Sequence, residues 1–375
     1  MTRRRGTAPA GAIAALVAIA IAACCAGAAL RAAGGQGAAD TQYAPVNPGQ
    51  PLVFPADYGS HPRFRTEWWY VTGWLQTADG APLGFQITFF RTRPDIWRQN
   101  PSAFTPRQVL IAHCAISDPR RGRLWHAERI ERAGFGLAGA DSGDTRVWIG
   151  GWSLVRSAGT YRSRAAGARF SFDLEFSPTQ PPMLNGAGGY SRKGPDASAA
   201  SYYYSIPHLR VSGRVTRAGR SDAVTGEGWL DHEWSSAYLD RHAVGWDWIG
   251  MNLDDGGALM AFRIRGADGG ALWAGGSVRG ADGRVQILAP QDVAFTPLRT
   301  WVSPRTAIRY PVRWQIRAGG LNFELRPLLD DQENDARATS GAIYWEGAVS
   351  AYQRRRRIGQ GYLEMTGYGG KMQLP

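Results

Sequence analysis

The chain has 375 residues and a formal net charge of +12, carried almost wholly by arginine, since lysine occurs only at Lys193 and Lys371. Three cysteines, two of them adjacent at Cys24 and Cys25, exclude a disulfide framework, so stability must come from an apolar core. In a cytosolic protein this charge would point to nucleic acid, but the beginning of the chain points to another compartment.

Arg3, Arg4 and Arg5 precede an uncharged run over residues 8–29, rich in Ala, Ile, Val and Leu. A basic segment followed by a short apolar stretch reads as a secretory signal rather than a membrane span. Ile21-Ala22-Ala23-Cys24 resembles a bacterial lipobox. The expected arrangement is therefore a signal peptide over 1–23, lipidation at Cys24 and a flexible linker over 24–50, with cleavage at the small residues up to Ala33 as the alternative. No later segment is long and apolar enough to span a bilayer as a helix. These features predict an exported, periplasmic protein, anchored to the membrane through lipid. Its basic surface would lie near anionic headgroups. Export removes nucleic acid as a partner.

Beyond the linker the pattern is β nearly throughout. Leu83, Phe85, Ile87 and Phe89 alternate with smaller or polar residues after a turn at Ala78-Asp79-Gly80. Leu110, Ala112 and Ile116 are in phase with Cys114, which makes that cysteine a buried structural thiol. Phe170, Phe172, Leu174 and Phe176 alternate with polar residues, as do Leu209, Val211 and Val215. Ala258 to Ile264 follows a turn at Asp254-Asp255-Gly256-Gly257, and Trp314 to Leu325 forms a hairpin around Ala318-Gly319-Gly320. The run Arg354 to Arg357 reads as a solvated hairpin tip. Residues 177–200, rich in Pro, Gly and Ser, read as a long loop of the kind that forms lids. The polar stretch 217–224 marks a domain junction, giving domains over 51–222 and 223–375. Many short strands joined by Gly-rich turns mean an all-β sandwich or barrel.

The densest chemistry lies in Trp229-Leu230-Asp231-His232-Glu233-Trp234 and Gly245-Trp246-Asp247-Trp248-Ile249-Gly250. Carboxylates resist burial and tryptophan seeks it, so the mixture suggests an apolar cavity with a few placed ionisable groups. Together with Thr66-Glu67-Trp68-Trp69-Tyr70, Ala112-His113, Tyr202-Tyr203-Tyr204-Ser205, Arg326-Pro327-Leu328, Tyr344-Trp345-Glu346-Gly347 and Gly361 to Tyr368, the chain resembles the exported AttH-type proteins. These share a superfamily with the carotenoid 1,2-hydratases. The resemblance implies two tandem lipocalin-like β-barrels packed against each other, with a ligand cavity near their junction. It also implies an apolar ligand such as a lipid or isoprenoid, and either hydratase chemistry or a link to an ABC transport system through a permease. His232 and Trp234 resemble the hydratases' catalytic pair.

Strand phase sorts the ionisable groups. Asp247 shares a face with Ile249, Met251 and Leu253, where desolvation would keep it protonated as a proton donor. His232 and Trp234 share a face with Leu230, and Asp231 and Glu233 lie opposite, serving the fold or the junction. Asp247, His232 and Trp234 are the catalytic candidates. Glu67, Trp69, His113, Tyr204, Trp246, Trp248, Tyr344 and Glu346 are the ligand-binding candidates, although for Glu67, Glu346 and Glu364 structural pairing with arginine or backbone is favoured. For an alkene hydratase, Asp247 would donate the proton, the rings would stabilise the cation, and His232 would orient water.

Other classes fail on sequence. Position 236 is Ser236, so His232-Glu233 lacks the second histidine of a zinc-protease motif. Gly189-Tyr190-Ser191-Arg192-Lys193 is no nucleophile elbow. No metal or cofactor is expected. The leading reading is an exported protein binding an apolar small molecule, with hydratase-like acid catalysis as the alternative and carbohydrate binding on exposed tryptophans third.

Overall fold

The computed structural model describes residues 43–94 and 100–372. The signal region and Cys24 lie outside the described residues. No α-helix occurs among those described; 23 strands and three 3-10 turns make up the regular structure.

The first sheet begins with Thr66–Thr77 (β1), Pro82–Thr92 (β2), Val109–Asp118 (β3) and Arg123–Arg132 (β4). Five shorter strands follow: Ala138–Ala140 (β5), Arg146–Ile149 (β6), Trp152–Ser157 (β7), Thr160–Ala166 (β8) and Phe170–Pro178 (β9). Met183–Leu184 (β10), Tyr190–Arg192 (β11), Ala200–Arg217 (β12) and Arg220–Ala237 (β13) complete it. The strand order is β4-β3-β2-β1-β13-β12-β9-β8-β7-β6-β5. The sheet curls almost shut, because Ile116 of β3 and Val147 of β6, far apart in that order, belong to one core cluster with Trp69, Phe85 and Trp234. Curling is how a twisted sheet with one apolar face removes that face from water.

The second sheet contains Gly245–Leu253 (β14), Ala258–Arg265 (β15), Ala271–Arg279 (β16), Val285–Leu288 (β17) and Val293–Val302 (β18). Arg309–Ala318 (β19), Leu321–Pro327 (β20), Glu333–Ala336 (β21), Ala342–Gln353 (β22) and Arg356–Met365 (β23) follow. The order is β17-β16-β15-β14-β23-β22-β20-β19-β18, around a core that includes Ile249, Trp314, Trp345 and Leu363. Both sheets are antiparallel throughout, as short turns demand. The expected all-β pair of barrels is the architecture found.

Two expectations about organisation are corrected. Stretch 217–224 is no boundary: its turn joins β12 to β13, with Arg217 opposite Arg220. The sheets instead change over after Ala237, so the Trp229–Trp234 run belongs to the first barrel. In sequence, Glu233-Trp234 echoes Glu67-Trp68. The two segments are in fact neighbours in one sheet, with Glu67 opposite Trp234 and Trp68 opposite Glu233. The loop over 177–200 also contains β10 and β11. They cover the edge of β12 before its bulge at Ile206–Leu209, beyond which β9 takes over that edge. Without them a run of backbone donors and acceptors would lack partners.

Between the barrels lies a third cluster. Tyr70, Tyr203 and Trp229 from the first sheet pack against Trp246, Trp248, Met260, Phe262 and Tyr362 from the second. Hydrogen bonds cross it: Trp74 Nε1 donates to the Gly361 carbonyl at 3.0 Å, and the buried Asn252 Nδ2 to that of Gly228 at 3.0 Å. Each strand at the junction thus faces a barrel interior with one set of side chains and the opposite barrel with the other.

Candidate functional site

This alternation divides the residues singled out from sequence into three places. Glu67, Trp69, Tyr204, His232 and Trp234 point into the first barrel. Trp246, Trp248, Tyr344 and Glu346 line the junction, with His113 behind them. Asp247 faces the second barrel.

In the first barrel, Glu67 is fully buried and takes hydrogen bonds at both oxygens. His61 Nδ1 lies 2.7 Å and His232 Nε2 2.9 Å from Oε1, while Arg91 Nε donates to Oε2 at 2.8 Å. The His61 backbone N–H adds bonds to both oxygens. Burial opposes the charge on Glu67, but Arg91, His232 and His61 together hold its carboxyl well below the usual carboxylate range. Burial lowers His232, whereas Asp57 and Glu67 raise His61 against its own burial. The Tyr204 hydroxyl meets His232 Nδ1 at 3.0 Å. His61 stacks on Trp234 with ring centroids 3.6 Å apart, and Trp69 stacks on His232 at 4.7 Å. Sequence reasoning missed His61, Asp57 and Arg91. Asp57 sits in a 3-10 turn over Ala56–Tyr58 and His61 in irregular chain before β1, where no periodicity assigns a direction.

Asp247 is as buried as its phase required. It does not lie alone among aliphatics: Arg263 Nε is 2.7 Å and Arg265 Nε 3.2 Å from Oδ2, and the Tyr368 hydroxyl donates to Oδ1 at 2.8 Å. These partners occupy both oxygens. The arginines come from β15, two residues apart and therefore on the same face, and Arg263 pairs with Asp247 in register.

The junction holds a cavity of about 50 Å³ lined by Trp68, Tyr70, Phe90, Tyr203, Tyr238, Trp246, Trp248 and Tyr344, with four acids, Asp231, Glu233, Glu346 and Glu364. That volume suits one small group or a few waters rather than a long chain. Asp231 accepts from Ser205 (2.6 Å), Tyr203 (2.7 Å) and Trp229 (2.8 Å). Burial nevertheless pushes it up to about 7. Glu233 pairs with Lys193 at 2.8 Å and accepts from Ser201. Burial raises Glu233 and lowers Lys193, each against the partner's charge. Glu346 and Glu364 stand directly opposite on β22 and β23. Burial, opposed by the Trp246 indole N–H at 3.0 Å, takes Glu364 to about 7. Burial and then the Glu364 charge take Glu346 well above the carboxylate range. Glu346 Oε1 is buried without a hydrogen bond of ordinary geometry; the Tyr70 hydroxyl, buried and likewise without one, is the polar neighbour that lowers its carboxyl in part.

Tyr344 connects this cavity to His113, whose Nδ1 lies 2.7 Å from the Tyr344 hydroxyl; Asn334 Nδ2 donates to the same oxygen at 2.8 Å. Burial takes His113 down to about 3, so it is neutral. Of the four acids, only Glu346 had been named for ligand binding. Phase had correctly set Asp231 and Glu233 opposite His232. Nothing in one sequence shows that β13, β22 and β23 bring their acids to one cavity.

The arrangement has relatives among solved structures. A provisionally assigned AttH protein from Nitrosomonas europaea is 51% identical, over 87% of this chain and 99% of that one, with a TM-score of 0.82. Kievitone hydratase from Nectria haematococca is 16% identical over 88% of this chain and 96% of its own, with a TM-score of 0.66, and shares the fold. No curated protein sequence matches the chain. The family model described as AttH-like matches residues 45–368, which takes in both barrels and the acids between them, and the chain belongs to that family.

Proposed function

We propose that the junction cavity is the working site and that its chemistry is acid catalysis on an apolar ligand, of the kind that adds water to an alkene. The observation that carries this reading is Glu346: a buried carboxyl with one oxygen lacking a hydrogen bond of ordinary geometry, opposite a second buried acid, beneath a wall of tryptophan and tyrosine. An unsatisfied buried carboxyl costs stability and is the kind of exception that calls for a functional explanation. Two carboxyls facing one another cannot both ionise cheaply, so the pair retains a proton, and Glu346 is the member that burial and the Glu364 charge hold well above the carboxylate range. In the proposed step that proton passes to one alkene carbon, and the ring faces stabilise the cation on the other. Water then adds to the cation and its proton goes to a neighbouring carboxylate. The catalytic role expected for Asp247 passes to Glu346, because Arg263, Arg265 and Tyr368 already engage Asp247.

The sequence reading favoured a carrier of a lipid or isoprenoid, linked to a transporter permease at the envelope. The aromatic wall supports binding of an apolar group, but a 50 Å³ cavity does not favour enclosing a long one. The test is Glu346→Gln, which keeps shape and removes the proton. Isoprenoid alkenes incubated in H₂¹⁸O and followed by mass spectrometry should give labelled alcohol with the parent chain, with a rate at least roughly 100-fold lower in the variant. Ligand binding by fluorescence quenching should persist. Equal turnover in both proteins overturns the proposed acid; tight binding with no turnover in either leaves the carrier reading in its place.

A further inference from the structure

We infer that His61, Glu67 and His232 form a binding site for one divalent transition-metal ion inside the first barrel. The pairing of β1 with β13 sets Glu67 beside the His232 face, and the chain preceding β1 brings His61 over both. One nitrogen from each ring converges on the same carboxylate oxygen, and the three donor atoms lie within 4.8 Å of one another. Two imidazoles and one carboxylate are the donor set of catalytic zinc sites, with a further position open to water, and of facial-triad iron.

The outer shell fits the same reading. His61 Nε2 lies 3.0 Å from Asp57 Oδ1, and His232 Nδ1 lies 3.0 Å from the Tyr204 hydroxyl. Metal-bound histidines ordinarily donate their second N–H to such partners, which fixes the tautomer and aims the ligating nitrogen inward. Trp234 and Trp69 clamp the two ring planes by stacking. The obvious objection is Arg91, but its Nε engages Oε2; Oε1 accepts only the His61 backbone N–H besides the two rings, which leaves it a lone pair to ligate. With both imidazoles neutral, Asp57 and Glu67 outweigh Arg91 by one negative charge, so the group does not repel a dication. Metal bonds of about 2.0–2.1 Å require the donors to spread slightly from their present separations. His61 can supply that movement, since it is on irregular chain and its side chain is 15% exposed, which also gives the ion a way in. Binding replaces two N–H···O bonds and releases to solvent any proton on the ligating nitrogens. This inference stands apart from the junction chemistry, which is on the other face of the sheet.

The test is calorimetric titration of the untagged, chelator-treated chain with zinc, repeated with cobalt as a coloured probe. One ion per chain is expected, with the cobalt spectrum showing nitrogen ligation. His61→Ala and His232→Gln should each weaken zinc by at least about 100-fold, and Asp57→Asn by roughly 10- to 100-fold. His61 lies outside the strands, so His61→Ala keeps the fold, as circular dichroism would check. Absence of a saturable ion overturns the inference and marks the group as a metal-free ion-pair network. Binding unchanged in both histidine variants overturns it as well, because it places the ion on other histidines.

Discussion

Glu364 gives the sharpest prediction for a single residue. Its folded pKa, about 7, lies above the ordinary carboxylate value that it has when unfolded. Between those two values the folded chain holds a proton that the unfolded chain has lost, so stability falls as pH rises through that window and the full cost is present above it. Glu364→Gln keeps an acceptor for the Trp246 indole and removes the cost. The variant should melt above the parent at about pH 8, by a few kcal/mol in stability, and the gap should close towards about pH 4.5. Thermal melts across that range check it; a constant difference at every pH would count against the raised value. Asp247 teaches the complementary lesson. Its phase correctly gave its burial, but the arginines that share its face on β15 were not legible from β14 alone.

At the scale of the element, β1 and β14 have almost no side given over to water. Trp68 and Tyr70 of β1 face the second barrel while Trp69 and Val71 fill the first. Gly250 of β14 marks how closely the faces approach: a Cβ there would sit 2.5 Å from the Trp248 ring and 2.9 Å from that of Trp229. Gly250→Ala should therefore destabilise by about 1–3 kcal/mol through overpacking, read as a lower urea midpoint with unchanged slope. An alanine tolerated without loss would mean that the indoles move freely. The same two-sidedness explains why alternation found the strands and their facing sets, yet could not say which set met solvent, a core or a second barrel.

At the scale of the whole molecule, the barrels share the third core cluster, so neither has a complete surface alone. A chain ending at residue 244 would expose Tyr70, Tyr203 and Trp229, a contiguous apolar face of the sort that drives association. It is expected to self-associate and bind a hydrophobic dye, whereas the full chain unfolds in one transition with coincident near- and far-ultraviolet dichroism. A monomeric, cooperatively folding fragment would show that the junction is a docked interface rather than a common core.

Sequence by itself determined the all-β class, the principal hairpins, the burial of Cys114 and the family, because period-two alternation and Gly-rich turns are local and the Trp-acid motifs are distinctive. It also named His232 and Trp234 as catalytic candidates beside Asp247, and Glu67, Trp69 and Tyr204 as ligand-binding candidates among others; the first barrel brings these five together and leaves the rest elsewhere. Tertiary structure alone decided that β13 closes the first barrel instead of opening the second, since strand partners are chosen by long-range pairing. It alone brought Asp231, Glu233, Glu346 and Glu364 to one cavity and His61 to Glu67. A carboxyl's charge state depends on which neighbours fold against it, and those neighbours lie up to more than a hundred residues away along the chain.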